Sequence, residues 1–448
     1  MQTLEQLRSG ELVGVTHLKL RCGLTSFPRE ILELADTLEM LDLSGNALSA
    51  LPHDLGRLGK LRIIFCSDNQ FTELPTVLGD CPELSLVGFK ANRIRKVSAA
   101  ALPTQLRWLI LTDNLLEELP AELGNCSQLQ KMMLAGNRLR ALPPQLANCQ
   151  RLELLRIAAN RLSELPPWLL SMPRLSWLAY SGNPFCAELE TGAYSKSPIN
   201  DIAWSALALE QVLGEGASGV IHRAQLREAG GAARSVAVKL FKGAVTSDGL
   251  PDSEMAASIA AQAHPALIPV LGNVTDHPSG QTGLVMELID PEFRNLAGPP
   301  SFASCTRDTY APDTCFSLSA LLQLVGALAS AAQHLHGRGI MHGDLYGHNI
   351  LCCAQGRALI GDFGAASFYA SDGSATAQAI ERLEVRAFAC LLEELLERCP
   401  ALPDEMQSLG LLDALKRACL SDVHNDRPLF AAIHLQLMDI HNGFSNKD

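Results

Sequence analysis

Seven asparagines set the frame for the first half of this chain. Asn46, Asn69, Asn92, Asn114, Asn137, Asn160 and Asn183 follow one another at intervals of 23, 23, 22, 23, 23 and 23 residues. Around each runs one pattern, seen cleanly as Leu38-x-x-Leu41-x-Leu43-x-x-Asn46-x-Leu48-x-x-Leu51-Pro52, and an imperfect earlier copy spans Leu18 to Leu24. A period of this length constrains the fold severely. Each copy carries an apolar face that only its neighbours can seal, so the copies must stack into a quasi-one-dimensional array.

The frame resembles leucine-rich repeats over about residues 15–187, and a solenoid domain is placed at 12–190. The resemblance implies that each asparagine bonds backbone groups in the turn after a short strand, stacking into a ladder, and that the Leu18 copy caps the array. Cys81, Cys126 and Cys149 recur twelve residues after their asparagines, as core fillers would; a metal site is the alternative. Partner binding in a solenoid belongs to strand positions facing outward on the concave side. Six residues before the asparagines stand Met40, Ile63, Leu86, Trp108, Lys131, Leu154 and Trp177, and four before stand Asp42, Phe65, Gly88, Ile110, Met133, Arg156 and Ala179. The first column is apolar at six of seven places. Exposed, it would form the contiguous apolar patch that marks a protein interface. A protein partner, or the second half of the chain, is therefore expected against Met40, Ile63, Phe65, Leu86, Trp108, Ile110, Leu154 and Trp177, unless loops or curvature cover them.

With 448 residues the chain exceeds one ordinary core, and its second half is different in character. Residues 1–200 hold 20 Lys+Arg against 20 Asp+Glu; residues 201–448 hold 16 against 28, which accounts for the whole formal charge of -12. An acidic half without a basic stripe argues against nucleic acid or anionic lipid as a partner. The apolar stretch Leu318–His336 contains Ser, Gln and His, which reads as a buried helix rather than a membrane span. Met1 to Gly10 has no apolar run of the signal-peptide kind. The 13 cysteines show no disulfide-framework spacing, so free thiols in a reducing, cytoplasmic setting are expected.

From residue 210 a series of motifs appears in fixed order. Val212-Leu-Gly214-Glu-Gly216-Ala217-Ser-Gly219-Val220 is a glycine-rich run between β-prone segments, weak evidence alone because dinucleotide-binding folds share it. Then come Val236-Ala-Val-Lys239, Glu254 on a helix-like stretch, the apolar Leu284-Val-Met286-Glu287-Leu288, His342-Gly343-Asp344-Leu-Tyr346-Gly-His348-Asn349, and Gly361-Asp362-Phe363-Gly364. This order resembles protein kinases, and a bilobal α+β kinase-like domain is placed at 205–442. The whole chain thus resembles leucine-rich-repeat protein kinases of the bacterial cytosolic type, an α/β solenoid followed by a kinase-like domain. The resemblance implies ATP and Mg2+ as cofactors and assigns roles. Gly214, Gly216, Gly219 and Val220 would lie over the phosphates. Lys239, paired to Glu254, would hold them. Met286, with the backbone at Glu287 and Leu288, would border the adenine. Asn349 and Asp362 would hold the cation, and Asp344 would take the proton of the attacking hydroxyl. Arg427 resembles a structural arginine of the large lobe.

The chain also departs from that pattern. Gly343 stands where an arginine usually precedes the catalytic aspartate, which argues against switching by loop phosphorylation. Tyr346 replaces a lysine that would face the γ-phosphate, with His348 as a partial substitute. The stretch from Asp362 to Glu384 is short; Ala379-Ile-Glu381 only echoes an Ala-Pro-Glu ending, and Glu384 stands where an aspartate is common. Residues 291–316 form an insertion carrying Cys305 and Cys315, two unpaired thiols or a redox pair. Two functions remain open: a Ser/Thr-type protein kinase whose repeats choose partners or restrain catalysis, and a nucleotide-binding scaffold that transfers no phosphate. A tyrosine-specific enzyme fits the catalytic loop less well.

Overall fold

The computed structural model describes residues 2–196, 199–216, 218–227, 231–242, 245–400 and 402–445. Ser197-Pro198 of the connecting segment and Ala217 of the glycine-rich run lie outside them. By packing, the chain divides into two units: Met1–Arg174 with Asn183–Phe185, and Leu175–Gly182 with Cys186–Asp448.

The first unit opens with α1 (Leu4–Arg8), closed at its start by a reciprocal Thr3–Gln6 capping box. Seven short strands follow, β1 (His17–Lys19), β2 (Met40–Asp42), β3 (Ile63–Phe65), β4 (Leu86–Gly88), β5 (Trp108–Ile110), β6 (Lys131–Met133) and β7 (Leu154–Arg156). They pair in parallel and in register, each on the next, with 3-10 turns on the return. Because side chains alternate along a strand, the middle residue of each points inward. Leu41, Ile64, Val87, Leu109, Met132 and Leu155 are fully buried.

The asparagines satisfy the turn backbone of two repeats at once. Asn137 Nδ2 donates to Leu111 O and Leu134 O at 2.9 Å each, and its Oδ1 accepts from Leu116 N at 3.1 Å. Asn114 and Asn160 repeat the pattern. This removes orphaned polar backbone from a stack that would otherwise bury it. Beside them, burial pushes the Cys81 and Cys126 thiols up to about 11 and Cys149 to about 12. Such thiols are inert packing groups.

The residue before each asparagine is left-handed. Gly45, Asp68, Ala91, Asp113, Gly136, Ala159 and Gly182 all have φ between 52° and 72°. Glycine fills three of the seven places, while Ala91 and Ala159 carry a Cβ in a conformation that disfavours one.

The expected apolar column is not one continuous exposed patch. Leu86 and Leu154 are buried, and Trp177 is buried within the second unit. Met40, Ile63, Phe65, Trp108 and Ile110 are half-buried. The Phe65 ring lies across Gly88, where an added Cβ would meet it at 2.5 Å, and the Lys131 ammonium sits 4.2 Å from the Trp108 ring centroid. Glycine and lysine at single strand positions thus cover apolar surface that spacing alone exposes.

The second unit begins with β8 (Trp177–Ala179), the eighth copy of the repeat strand, and α2 (Ala187–Lys196). A six-stranded sheet follows, made of β9 (Asn200–Ala203), β10 (Leu207–Glu215), β11 (Gly219–Arg227), β12 (Ala233–Phe241), β13 (Val270–Thr275) and β14 (Gly283–Glu287), in the order β10-β11-β12-β14-β13-β9. Val236, Val238 and Val285 form its buried face with Ala224, Leu240 and Val274. Helix α3 (Pro251–Ala261) lies between β12 and β13 in the chain. The remainder is mostly helical. β15 (Arg294–Asn295) precedes α4 (Leu318–Gly337), then come the short strands β16 (Ile340–Met341), β17 (Ile350–Cys352), β18 (Ala358–Ile360) and β19 (Ser367–Phe368), and last α5 (Ala375–Leu396), α6 (Met406–Cys419) and α7 (Phe430–Ser445). Length and composition alone would let α4 cross a bilayer, but most of it is buried here, and it packs along α7. Ala379-Ile-Glu381 lies inside α5, where Glu381 Oε1 accepts from the first amide of α7, Phe430 N, at 2.7 Å. It is a helix-capping group rather than the end of a loop. All thirteen cysteines are free thiols, Cys305 buried and Cys315 exposed.

Two predictions follow from this packing. Replacing Ala159 by glycine relieves the left-handed strain, against a smaller cost from the extra backbone freedom that glycine gives the unfolded chain, so Ala159→Gly should raise unfolding free energy by roughly 0.5–1 kcal/mol in urea titration. A loss of stability would show that the alanine is not strained. The second concerns His424. Its Nε2 donates to Ala379 O at 2.8 Å, while Nδ1 lies 3.2 Å from Arg427 Nη1. Burial, joined by the charges of Arg427 and Arg382, pushes it down to about 4 against the bond to Ala379. An unfolded histidine titrates near 6.5, so this contribution is complete above pH 6.5 and is lost as pH falls toward 4. His424→Gln keeps a donor and an acceptor without a proton to gain. It should flatten the stability loss between pH 6.5 and 4, on the order of 3 kcal/mol at most; an unchanged slope would contradict the assignment.

Candidate active site

Alternation along β12 sends Val236, Val238 and Leu240 into the sheet core and Ala237, Lys239 and Phe241 to the opposite face. Lys239 is thereby aimed at α3, which opens with Pro251 at its first turn and places Glu254 one turn in. The Lys239 ammonium hydrogen-bonds Glu254 Oε1, and its Nζ lies 3.7 Å from Asp362 Oδ1. Lys239 and Glu254 are buried; the Asp362 side chain is half exposed. Burial pushes the Glu254 carboxyl up to about 7, against the attraction of Lys239. For Lys239 burial acts downward, but Asp362 and Glu254 outweigh it and hold the ammonium above its ordinary value. One cation and two carboxylates therefore meet at one place. A cavity of about 110 Å³ beside them is lined by Ile221, Ile268, Val270, Leu284, Met286 and Phe363, among others.

The glycine-rich turn is closed by a hydrogen bond from Gly216 N to Gly219 O at 2.9 Å. A side chain at Gly214 or Gly216 would enter open space, whereas one at Gly219 would meet Leu240 O at 2.5 Å. The first two glycines leave room above the cleft; the third is required by strand packing. Val220 pairs with Leu240 in the same ladder. Met286 borders the cavity. The Glu287 amide already donates to Pro269 O at 3.0 Å, and its carboxylate pairs with Arg234 at 2.8 Å. This N–H is held by the sheet, so an adenine edge would be left to the other backbone groups of Glu287–Leu288.

The loop that carries Asp344 hangs on a buried carboxylate. Glu384 on α5 accepts from His342 N at 3.0 Å and Gly343 N at 2.6 Å, and His336 Nε2 lies 2.9 Å away. Burial pushes this carboxyl up, but His336, His342 and the Gly343 amide outweigh it and lower it below the ordinary range. His342 Nε2 lies 3.0 Å from Gly361 O, which ties this loop to the strand leading into Asp362. Asp362 is itself left-handed, with φ 54°, and accepts from Gly364 N at 3.3 Å. Asn349 Nδ2 donates to Asp344 Oδ2 at 2.7 Å and to Asp344 O at 3.0 Å. The amide nitrogen is thus turned to Asp344, and its carbonyl oxygen is the donor left for a cation. Asn349 and Asp362 offer oxygen atoms only, which fits Mg2+.

Asp308 is a site residue that no motif in the sequence marks. Its fully buried carboxylate accepts from His348 N at 3.1 Å and bonds His348 Nδ1 at 2.7 Å. Burial lowers His348, but Asp308, Asp344 and Asp362 raise it above its ordinary value. Asp308 belongs to the insertion, which is fastened by Arg307–Glu393 at 3.2 Å and by Tyr310 OH donating to Glu394 Oε2 at 3.0 Å. The insertion therefore forms part of the wall of the catalytic loop.

A lysine–glutamate pair across a cleft, an aspartate and asparagine on one loop, and a second aspartate facing the lysine are the arrangement that the resemblance to protein kinases implies. The comparisons agree. A model of the family described as protein tyrosine and serine/threonine kinase matches residues 207–399, and a leucine-rich-repeat model matches residues 37–58. The chain is a leucine-rich-repeat protein with a protein kinase domain. It is 27% identical over 242 residues to the sporulation protein kinase mde3 of Schizosaccharomyces pombe, covering 47% of this chain and 40% of that one. Over 159 residues it is 30% identical to the DNA damage-responsive serine/threonine-protein kinase RqkA of Deinococcus radiodurans, covering 34% of this chain and 21% of that one. A probable serine/threonine-protein kinase of Arabidopsis thaliana is 29% identical over 106 residues, 24% of this chain and 13% of the relative. The chain thus spans well under two thirds of the length of these relatives.

Gly343 gives the sharpest structural prediction here. Its φ is +74°, and an added Cβ would meet Ala365 O at 2.5 Å and Leu178 O at 2.6 Å. Backbone cannot yield as a side chain can, so no arginine fits. Gly343→Ala should cost roughly 2–4 kcal/mol of stability, from overpacking and the left-handed conformation together. A melting temperature within a degree of wild type would show that the loop sits elsewhere.

Proposed function

We propose that the second unit transfers the γ-phosphoryl group of ATP, with Mg2+, to a serine or threonine hydroxyl of a protein, and that the repeats recognise protein partners or regulate the transfer. The observation that carries this is the Lys239–Glu254 pair with Asp362 Oδ1 3.7 Å from the same ammonium. A buried, fixed cation beside an oxygen-only cation site suits phosphoryl transfer, where catalysis is positioning and charge stabilisation. Lys239 would hold the donor's phosphates from one side while Gly214 and Gly216 leave room for them. Met286 and the backbone at Glu287–Leu288 would border the adenine. Asn349 and Asp362 would hold Mg2+, which when bound supplies neutralising charge to the β- and γ-phosphates. Asp344, oriented by the Asn349 amide, would accept the hydroxyl proton as the new O–P bond forms and the β–γ bridging bond breaks. Thirteen free thiols favour a reducing, cytoplasmic setting.

One observation favours the scaffold reading. Tyr346, in the place where the resemblance implies a lysine, is buried and stacked on an indole, so it brings no charge to the γ-phosphate. Radiolabelled ATP and Mg2+ with the purified chain and a generic protein substrate separate the two. Wild type should label itself or the substrate, and Lys239→Met and Asp344→Asn should each reduce labelling roughly a hundredfold or more while melting normally. Unchanged labelling in Asp344→Asn would remove the assigned role. Stabilisation of wild type by ATP without any labelling would establish the scaffold.

A further inference from the structure

One segment of the second unit touches three parts of the candidate cleft: the loop of Asp344, the stretch after Asp362 and α3. Trp177 stacks flat on Tyr346 of the catalytic loop, with ring centroids 4.3 Å apart and planes 8° apart, and its Nε1 donates to Leu345 O at 3.2 Å. Leu178 O closes over Gly343. Tyr180 N donates to Ser367 Oγ at 2.9 Å and Tyr180 OH to Phe368 O at 3.3 Å, which fixes the stretch after Asp362. Ser176 Oγ accepts from Arg386 Nη1 of α5 at 2.9 Å. Beyond the strand, Glu190 of α2 accepts from Gly182 N at 2.8 Å and from Ser253 Oγ at 3.3 Å, and Ser253 is the neighbour of Glu254 on α3. Trp177, Tyr180 and Ser176 are all buried.

We infer that residues 175–182, with Glu190 of α2, are a built-in clamp that holds this cleft in its working arrangement without phosphorylation, and that Trp177 and Tyr180 are positioning residues for the transfer. Phosphorylation orders a kinase's activation loop by giving an arginine a phosphate to pair with. Here the position before Asp344 has no room for any side chain, and only twelve residues separate Asp362 from the start of α5 at Ala375. The ordering must come from contacts that are already made. The strand supplies them from the same chain: a ring-on-ring stack and an indole bond for the catalytic loop, two tyrosine bonds for the segment after Asp362, and a shared carboxylate for α3. Small misplacements of such groups carry large losses in rate, whereas the stack and bonds given above for Trp177 and Tyr180 go to Leu345, Tyr346, Ser367 and Phe368, none of which lines the pocket at Lys239 and Met286.

This inference rests on the kinase reading, and the test separates the two. In the full chain, Trp177→Ala should lower kcat by about tenfold with KM for ATP within about twofold, and Trp177→Phe should recover most of the loss by keeping the stack. Tyr180→Phe, which removes one bond and little volume, covers the case in which the alanine variant fails to fold; it should slow kcat by about threefold. Hydrogen exchange at amides 343–346 and 365–369 should rise in Trp177→Ala and Tyr180→Phe, and phosphatase treatment should leave wild-type kcat unchanged. Folded variants with wild-type kcat and exchange would overturn the clamp, and so would loss of wild-type activity on phosphatase treatment. A wild type that transfers no phosphate would remove the kinase reading alone. The exchange comparison would then support the clamp if the variants loosen both loops and overturn it if they do not.

Discussion

The geometry of the candidate site in the second unit depends on one buried carboxylate. Glu384 sits at the base of the loop that carries Asp344, and it is inaccessible to solvent. An isolated buried anion is strongly disfavoured, so Glu384 is tolerable only because His336 and the amides of His342 and Gly343 surround it. The dependence is mutual. Those two amides lie outside helix and strand, at a turn where Gly343 is left-handed, and the carboxylate accepts from both. A glutamate does this from a helix where a shorter aspartate is common, and the extra methylene brings the carboxylate within reach of His336 on α4 and, through it, the Tyr369 hydroxyl 2.8 Å from His336 Nδ1. Two helices, the catalytic loop and the segment after Asp362 are thereby joined through one charge.

How much of this was legible in sequence depended on the range of the interaction. The asparagine ladder repeats at a fixed step, and each rung needs the same residue type, so spacing alone revealed it. Lys239, Glu254, Asp344, Asn349 and Asp362 were legible because each sits in a local pattern set by a strand, helix or tight turn, and the fold brings those patterns to one cleft. Asp308 was invisible. It lies in an irregular insertion without periodicity, and its buried bond to His348 spans forty residues. Trp177 was placed in the right column, but strand alternation shows only that a side chain points outward and not what lies over it. The glycines divide along the same line: motif resemblance treats Gly214, Gly216 and Gly219 alike, yet only Gly219 is demanded by the backbone of a neighbouring strand.

The left-handed residue before each asparagine illustrates a rule hidden by tolerance. Glycine would have exposed it, but aspartate and alanine occupy four of the seven positions. Each costs a little strain, and a solenoid spreads that strain over many rungs held by their neighbours. A cooperative stack can therefore carry substitutions that a lone turn would reject, which blurs the signal in the sequence.

The electrostatics of the catalytic loop bear most on what the cleft can do. Tyr346 turns a position of expected positive charge into a packing surface, and the basic group of this loop that feels the charges of Asp344 and Asp362 is the His348 imidazole. Asp308 fixes that ring by its Nδ1 while also accepting the His348 amide, so the ring's direction is set by the insertion and not by the loop itself. An imidazole held this way is shorter than a lysine and cannot swing toward a phosphate as a flexible ammonium can. Positive charge at this end of the cleft is therefore weaker and more rigid than at Lys239. A cleft of this kind must rely on fixed geometry more than on charge, and geometry is what the buried ties from Glu384 and Asp308 supply.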